Sequence, residues 1–144
     1  MISFEKTVYI KRPRQEVFDF VSDPANDALY RKGARFSEWS SEGPVGVGST
    51  MRTVDRFIGR EVETTSEITI WDPPKKYAFQ TVGGPAVARF TLAFESIEDG
   101  TKLTSCGEVE FKGLLKVVGW LLGRQIKNQA QSDFDTLKRL LESD

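Results

Sequence analysis

Histidine is absent from the 144 residues, and cysteine occurs once, as Cys106. Without imidazole, neither a Ser-His-Asp nor a Cys-His mechanism is available within this chain. A lone cysteine excludes an internal disulfide framework and, with histidine missing, the usual zinc sites. A dominant sign of charge is also lacking: 20 Lys and Arg stand against 21 Asp and Glu, a formal net charge of −1. No whole-molecule field draws in a polyanion; a local basic patch stays open, but neither nucleic acid nor an acidic membrane is the expected default partner. Long apolar runs are missing too. The most apolar stretch, LLKVVGWLLG, is broken by Lys116 and reaches about half of the ~20 residues a membrane span needs. Stable membrane insertion is therefore not expected. MISFEKTVYIKR has no apolar core of the kind a secretion signal carries, which makes a cytoplasmic location the expectation. No segment has the spacing of a calcium loop, so neither a metal site nor a cofactor is expected.

What is present is ordered by period. FEKTVYIK alternates, with Phe4, Lys6, Val8 and Ile10 on one side of an extended chain. Pro13 ends that strand and stands at the entry to a short amphipathic helix, where Val17, Phe20 and Val21 recur at helical spacing beside Phe18. Asp23-Pro24 stops it, and PANDALY reads as a second helical turn or an irregular corner. From Gly33 the chain reads as roughly six strands. Their corners fall at Ile58-Gly59, Asp72-Pro73-Pro74, Gly83-Gly84 and Asp99-Gly100. Connections this short favour an antiparallel meander, because parallel crossovers need a dozen or more residues. After Gly113 the period changes to that of one amphipathic helix of about 28 residues, well above the usual mean of about 11–12. Gly119 and Gly123, four apart, suit a close backbone approach or a bend.

The order of elements predicts an α+β fold. A curved antiparallel sheet of about seven strands wraps around a long C-terminal helix, and two short helices follow the first strand. No linker or repeat divides the chain, so 1–144 is expected to be a single domain.

VYIKRPRQEVFDFVSDPAND, GPVGVGSTMR, ITIWDPPKKYAFQTVGG and DGTKLTSCGEVEFKG, followed by the long terminal helix, resemble the polyketide cyclase/dehydrase-like group of the START-related, pollen-allergen-like superfamily. The resemblance implies a START-like helix-grip fold, with a cavity between the bent sheet and the C-terminal helix. It also implies a small hydrophobic or amphipathic ligand such as a lipid, sterol or polyketide. Cyclase or aromatase activity occurs among such proteins, so whether this chain is an enzyme stays open. The familiar positions, Pro13 to Asp23, Gly46-Val47-Gly48, Asp72-Pro73-Pro74 and Gly113, carry fold rather than catalysis.

Strand parity then names candidates. Tyr77 and Phe79 share one face, as do Phe90, Leu92 and Phe94, and on the last strand Leu103, Ser105, Gly107, Val109 and Phe111. A ligand wall is expected from Trp39, Arg52, Trp71, Tyr77, Phe79, Phe90, Leu92, Phe94 and Phe111 on the strands, with Val118, Leu122 and Ile126 on the helix. Plain core packing accounts for the same aromatic residues. Arg52 is the residue expected to orient a polar ligand group, although Val54 shares its face and leaves the parity of that strand open. A cyclase or dehydratase would work by positioning its substrate, with Glu108, Tyr77 and Arg52 as catalytic candidates. A structural or protein-interaction module is the remaining alternative, with no protein partner named. The apolar, Lys- and Arg-flanked start of the last helix leaves transient membrane contact open.

Overall fold

The computed structural model describes residues 2–57, 59–113 and 115–143. Strand β1 (Ile2–Ile10) leads into helix α1 (Arg14–Val21), a 3-10 turn (Pro24–Asn26) and helix α2 (Asp27–Tyr30). Six strands follow: β2 (Ala34–Trp39), β3 (Thr50–Phe57), β4 (Arg60–Asp72), β5 (Lys76–Gly83), β6 (Ala86–Ile97) and β7 (Gly100–Phe111). Helix α3 (Leu115–Glu142) ends the chain. The α+β arrangement expected from the order of elements, and the helix-grip fold that the resemblance implies, are what is found.

All pairings are antiparallel, in the order β1-β7-β6-β5-β4-β3-β2. Each neighbour from β2 to β7 is the next strand in sequence, as short turns dictate; only β1 joins out of order, at the β7 edge. Asp23 starts the 3-10 turn by accepting a hydrogen bond from the Ala25 amide at 3.0 Å.

The register sorts side chains by face. Lys6, Ser105, Leu92 and Tyr77 form one rung across β1, β7, β6 and β5, and Phe4, Gly107, Phe90 and Phe79 form the next. These point to the concave side, because their strand-mates Val8, Leu103 and Phe94 are in the buried core. On β4 an irregularity between Ile68 and Ile70 shifts the parity, so that both Ile68 and Trp71 face inward and Ile70 is exposed.

One end of this concave face is sealed. Phe18 of α1 is 1% exposed and packs edge-on against Trp71, Tyr77 and Phe94, at 5.4, 5.7 and 5.1 Å between ring centroids. Val17, Val21, Ile10, Leu103, Leu137 and Leu141 complete this core. Hydrogen bonds clamp the end of α3 to the end of β1. Glu142 accepts from the Lys11 amide at 2.8 Å, Lys138 donates to the Tyr9 carbonyl, and Arg12 donates to the Leu141 carbonyl at 2.6 Å.

The start of α3 crosses the opposite end. A β-carbon at Gly119 would overlap the Phe111 ring, so this glycine is what lets the helix lie down on β7. A β-carbon at Gly123 would meet Ile2 only at ordinary contact distance, so the close approach is at Gly119. Farther along, Asp133 of α3 accepts from the Lys32 amide at 3.1 Å, tying α3 to the corner after α2. That corner is fixed to the sheet by Arg31, which donates to Asp27 at 3.3 Å and Asp55 at 3.0 Å.

Candidate functional site

The candidate site is the concave face beneath α3, and burial along each inner row shows where it opens. On β5 and β6, Tyr77, Leu92 and Phe94 are buried, whereas Phe79, Thr81 and Phe90 keep partial exposure. On β7, Leu103 and Ser105 are buried while Val109 and Phe111 are not fully covered; on β1, Val8 and Ile10 are buried and Ile2, Phe4 and Lys6 only partly. The side chains inside the grip therefore pack solidly near α1 and loosen toward the end bearing the β5–β6 turn and the start of α3.

Two kinds of wall line this face. Across β1, β5 and β6 the rings form a connected series. Phe4 meets Phe90 at 6.1 Å, Phe90 stacks on Phe79 at 5.2 Å, Phe79 on Tyr77 at 6.1 Å, and Tyr77 on Phe94 at 6.1 Å. Gly107 makes room for the first pair, since a β-carbon there would stand 2.6 Å from the Phe4 ring and 2.9 Å from Phe90. Across β2, β3, β4 and β5 the inward positions include hydroxyls. Ser37 donates to Thr53 at 3.0 Å, Thr53 pairs in register with Thr64, and Ser66 with Thr81. Thr81 donates to the Ala86 carbonyl at 3.2 Å and accepts from the Ala88 amide at 3.0 Å, which pins the turn at the open end.

Several sequence expectations fall on this surface. Trp39, Trp71, Phe79 and Phe90 are inward, partly buried and packed against the core. Phe111 lies under Gly119, and Leu122 and Ile126 are half-buried on α3. Leu92 and Phe94 are inward but sealed within the core, so they support the wall from behind. The side chain of Val118 lies outside the described residues.

Two expectations are corrected. Arg52 is on the convex face, where it ion-pairs with Glu63 and with Glu38 at 3.4 Å and lies over the Phe36 ring at 5.0 Å. Its neighbour Val54 is buried on that same outer side, in register with Phe36, which is why the parity of β3 could not be read from apolar character. Glu108 also faces outward, in the opposite parity to Gly107 and paired with Arg89 and Ser3. Neither reaches the concave face.

Tyr77 does face inward, but it is buried and its hydroxyl donates to the Val21 carbonyl at 3.2 Å. Burial pushes its phenol well above the ordinary value, so it stays protonated and structural. Arg52→Gln is accordingly expected to leave both thermal midpoint and concave-face ligand binding unchanged. Loss of binding in that variant, read by the same titration as for the wild type, would put the site on the wrong face.

The sequence reading placed Thr81 beside Tyr77 and Phe79 but missed the inward hydroxyls Thr53, Thr64 and Ser66. Serine and threonine in a strand normally mark a solvated face; for Thr64 and Ser66 the available signal was their shared parity with Ile68, whereas Thr53 is placed only by its pairing with Thr64. It also missed Phe4 as wall, although the alternation of β1 contains it. No group of three or more potential metal ligands occurs among the described residues. No helix of the described residues is long and apolar enough to cross a membrane.

Comparison with known proteins agrees with this architecture. Residues 1–142 match the family described as polyketide cyclase / dehydrase and lipid transport, and the chain belongs to that family. No curated protein matches the sequence. Among solved structures, the Zhui aromatase/cyclase of a Streptomyces species superposes with a TM-score of 0.80 at 16% identity, covering 97% of this chain and 93% of that one. The protein TTHA0849 of Thermus thermophilus gives 0.77 at 21% identity over 97% and 94% of the two chains. A START superfamily protein of Mycobacterium smegmatis gives 0.75 at 15% over 99% and 95%. At these identities the superpositions show the shared fold. At the level of the family, fold and membership together support a cavity for a small hydrophobic ligand between sheet and helix.

Proposed function

We propose that the protein binds a small amphipathic molecule, aromatic or otherwise flat on one side and bearing hydroxyl or carbonyl groups on the other. The observation that carries this reading is the split concave wall, with the Phe4–Phe90–Phe79 series facing inward from one part of the sheet and Thr53, Thr64, Ser66 and Thr81 from the other. Rings left partly exposed inside a fold keep apolar surface available for a ligand, and nearby hydroxyls fix its orientation. Burying ~200 Å² of apolar ligand surface at about 25 cal/mol per Å² gives roughly 5 kcal/mol before the costs of association. A bicyclic probe is therefore expected to bind no more tightly than about 0.2 mM, and a larger natural ligand more tightly.

Inward Asp55 is already paired with Arg31, and the outward Arg52 is engaged by Glu38 and Glu63, whereas Lys6 of β1 faces the concave side half-buried and could meet a polar or acidic ligand group. The titled role of the Streptomyces relative as an aromatase/cyclase is compatible with a ligand of this shape. With Arg52 and Glu108 outside and Tyr77 locked, no acid–base pair supports carrying catalysis over to this chain.

Protein purified without detergent is expected to show, in native mass spectrometry, an added mass that organic extraction removes. Titration of the stripped protein with 2-naphthol should quench the fluorescence of Trp39 and Trp71. Phe79→Ala with Phe90→Ala should weaken that binding by about tenfold or more. A bare mass together with no fluorescence response would refute the reading.

A further inference from the structure

We propose that the start of α3 is a docking face for an anionic lipid surface, set at the open end of the grip. Val117, Trp120 and Leu121 recur at helical spacing and are 64, 80 and 66% exposed. Gly119, between them in sequence, is turned onto Phe111, so the apolar stripe points away from the sheet. The β5–β6 turn lies at the same end: Ala86 pairs with Phe111, and the Pro85 carbonyl accepts from the Lys112 amide at 3.4 Å.

Charge identifies the occupant. Lys112, Lys116, Arg124 and Lys127 are exposed around the stripe, and no Asp or Glu occurs from 112 through 132. None of the four makes an ion pair among the described residues. A chain of net charge −1 thus carries, around its most exposed tryptophan, a run with four cations and no acidic residue. Indole and aliphatic side chains enter the headgroup region while lysine and arginine meet anionic headgroups, the combination that holds interfacial helices. A second copy of the chain fits less well, because it would oppose positive charge with positive charge. The inference rests on this outer surface and not on ligand binding inside the grip.

The test is sedimentation of the full chain with vesicles of phosphatidylcholine alone and of phosphatidylcholine with phosphatidylserine. Binding is expected to the anionic vesicles, with a blue shift of fluorescence that Trp120→Phe removes, and to fade as salt is raised. Trp120→Ala with Leu121→Ser, and separately Lys116→Glu with Arg124→Glu, should each lower partitioning by about tenfold or more, with circular dichroism and thermal midpoint unchanged. Absence of sedimentation, equal binding to neutral vesicles, or dimerisation abolished by the same substitutions would each overturn the proposal. A protein that binds 2-naphthol but no vesicles would overturn this inference alone.

Discussion

Phe18→Ala is expected to remove about 3–5 kcal/mol of unfolding free energy, read as a lowered urea midpoint at unchanged slope. The ring contacts Trp71, Tyr77 and Phe94 at once and is almost wholly buried, so truncation leaves a void with three rigid aromatic walls that close in poorly. Helix α1 has little else to hold it beyond an exposed Gln15–Asp19 hydrogen bond and an Arg12–Glu16 ion pair, each worth roughly a few tenths of a kcal/mol. It is eight residues long, and Pro13 at its start supplies no side-chain cap. An isolated helix of that length does not persist in water, so α1 exists because Val17, Phe18 and Val21 are seated on the sheet. Glu16→Ala, on the exposed side of the same helix, should change stability by no more than about 0.5 kcal/mol. A loss below about 1 kcal/mol for Phe18→Ala would mean that α1 does not seal this end.

That sealing element was readable from the start, because Val17, Phe20 and Val21 recur at helical spacing just after a proline. So were the inward rows of β6 and β7, where Phe90, Leu92 and Phe94 alternate with Arg89, Thr91 and Ala93. What stayed hidden has identifiable physical causes. The face of β3 was ambiguous because Val54, buried under Phe36 on the convex side, imitates a core residue, while inward Thr53 and Asp55 imitate surface. On β4 the irregularity between Ile68 and Ile70 breaks the strict alternation on which any parity argument depends. The Arg31–Asp55 pair joins positions 24 apart, and no local pattern announces which of many charges will meet. Legibility thus followed locality: periodic burial could be read, and pairing across the sheet could not.

Above about pH 10 the protein is expected to lose stability steeply, through two tyrosines rather than through its carboxylates. Tyr30 and Tyr77 are both buried, and desolvation raises each phenol above its ordinary value, helped at Tyr30 by the nearby Asp27 carboxylate. In the unfolded chain both titrate near pH 10, so above that point the native state holds more protons than the unfolded state. Stability is then fully present below pH 10 and falls as pH rises from there toward the native values. Each tyrosine contributes up to about 1.4 kcal/mol per pH unit, and the pair about 2.7. A domain of ordinary stability, about 5–15 kcal/mol, cannot sustain that slope for many units. Unfolding and tyrosinate absorbance at these positions should therefore appear together. Tyr77→Phe should halve the slope, and at neutral pH it should cost only about 1 kcal/mol for the lost hydrogen bond to the Val21 carbonyl. Lysine deprotonation is common to both proteins and cancels in that comparison. If Tyr30 and Tyr77 ionised smoothly near pH 10 while the near-ultraviolet circular dichroism of the aromatic core persisted, the two phenols would not be shut away from water, and the sealed end of the grip would be open.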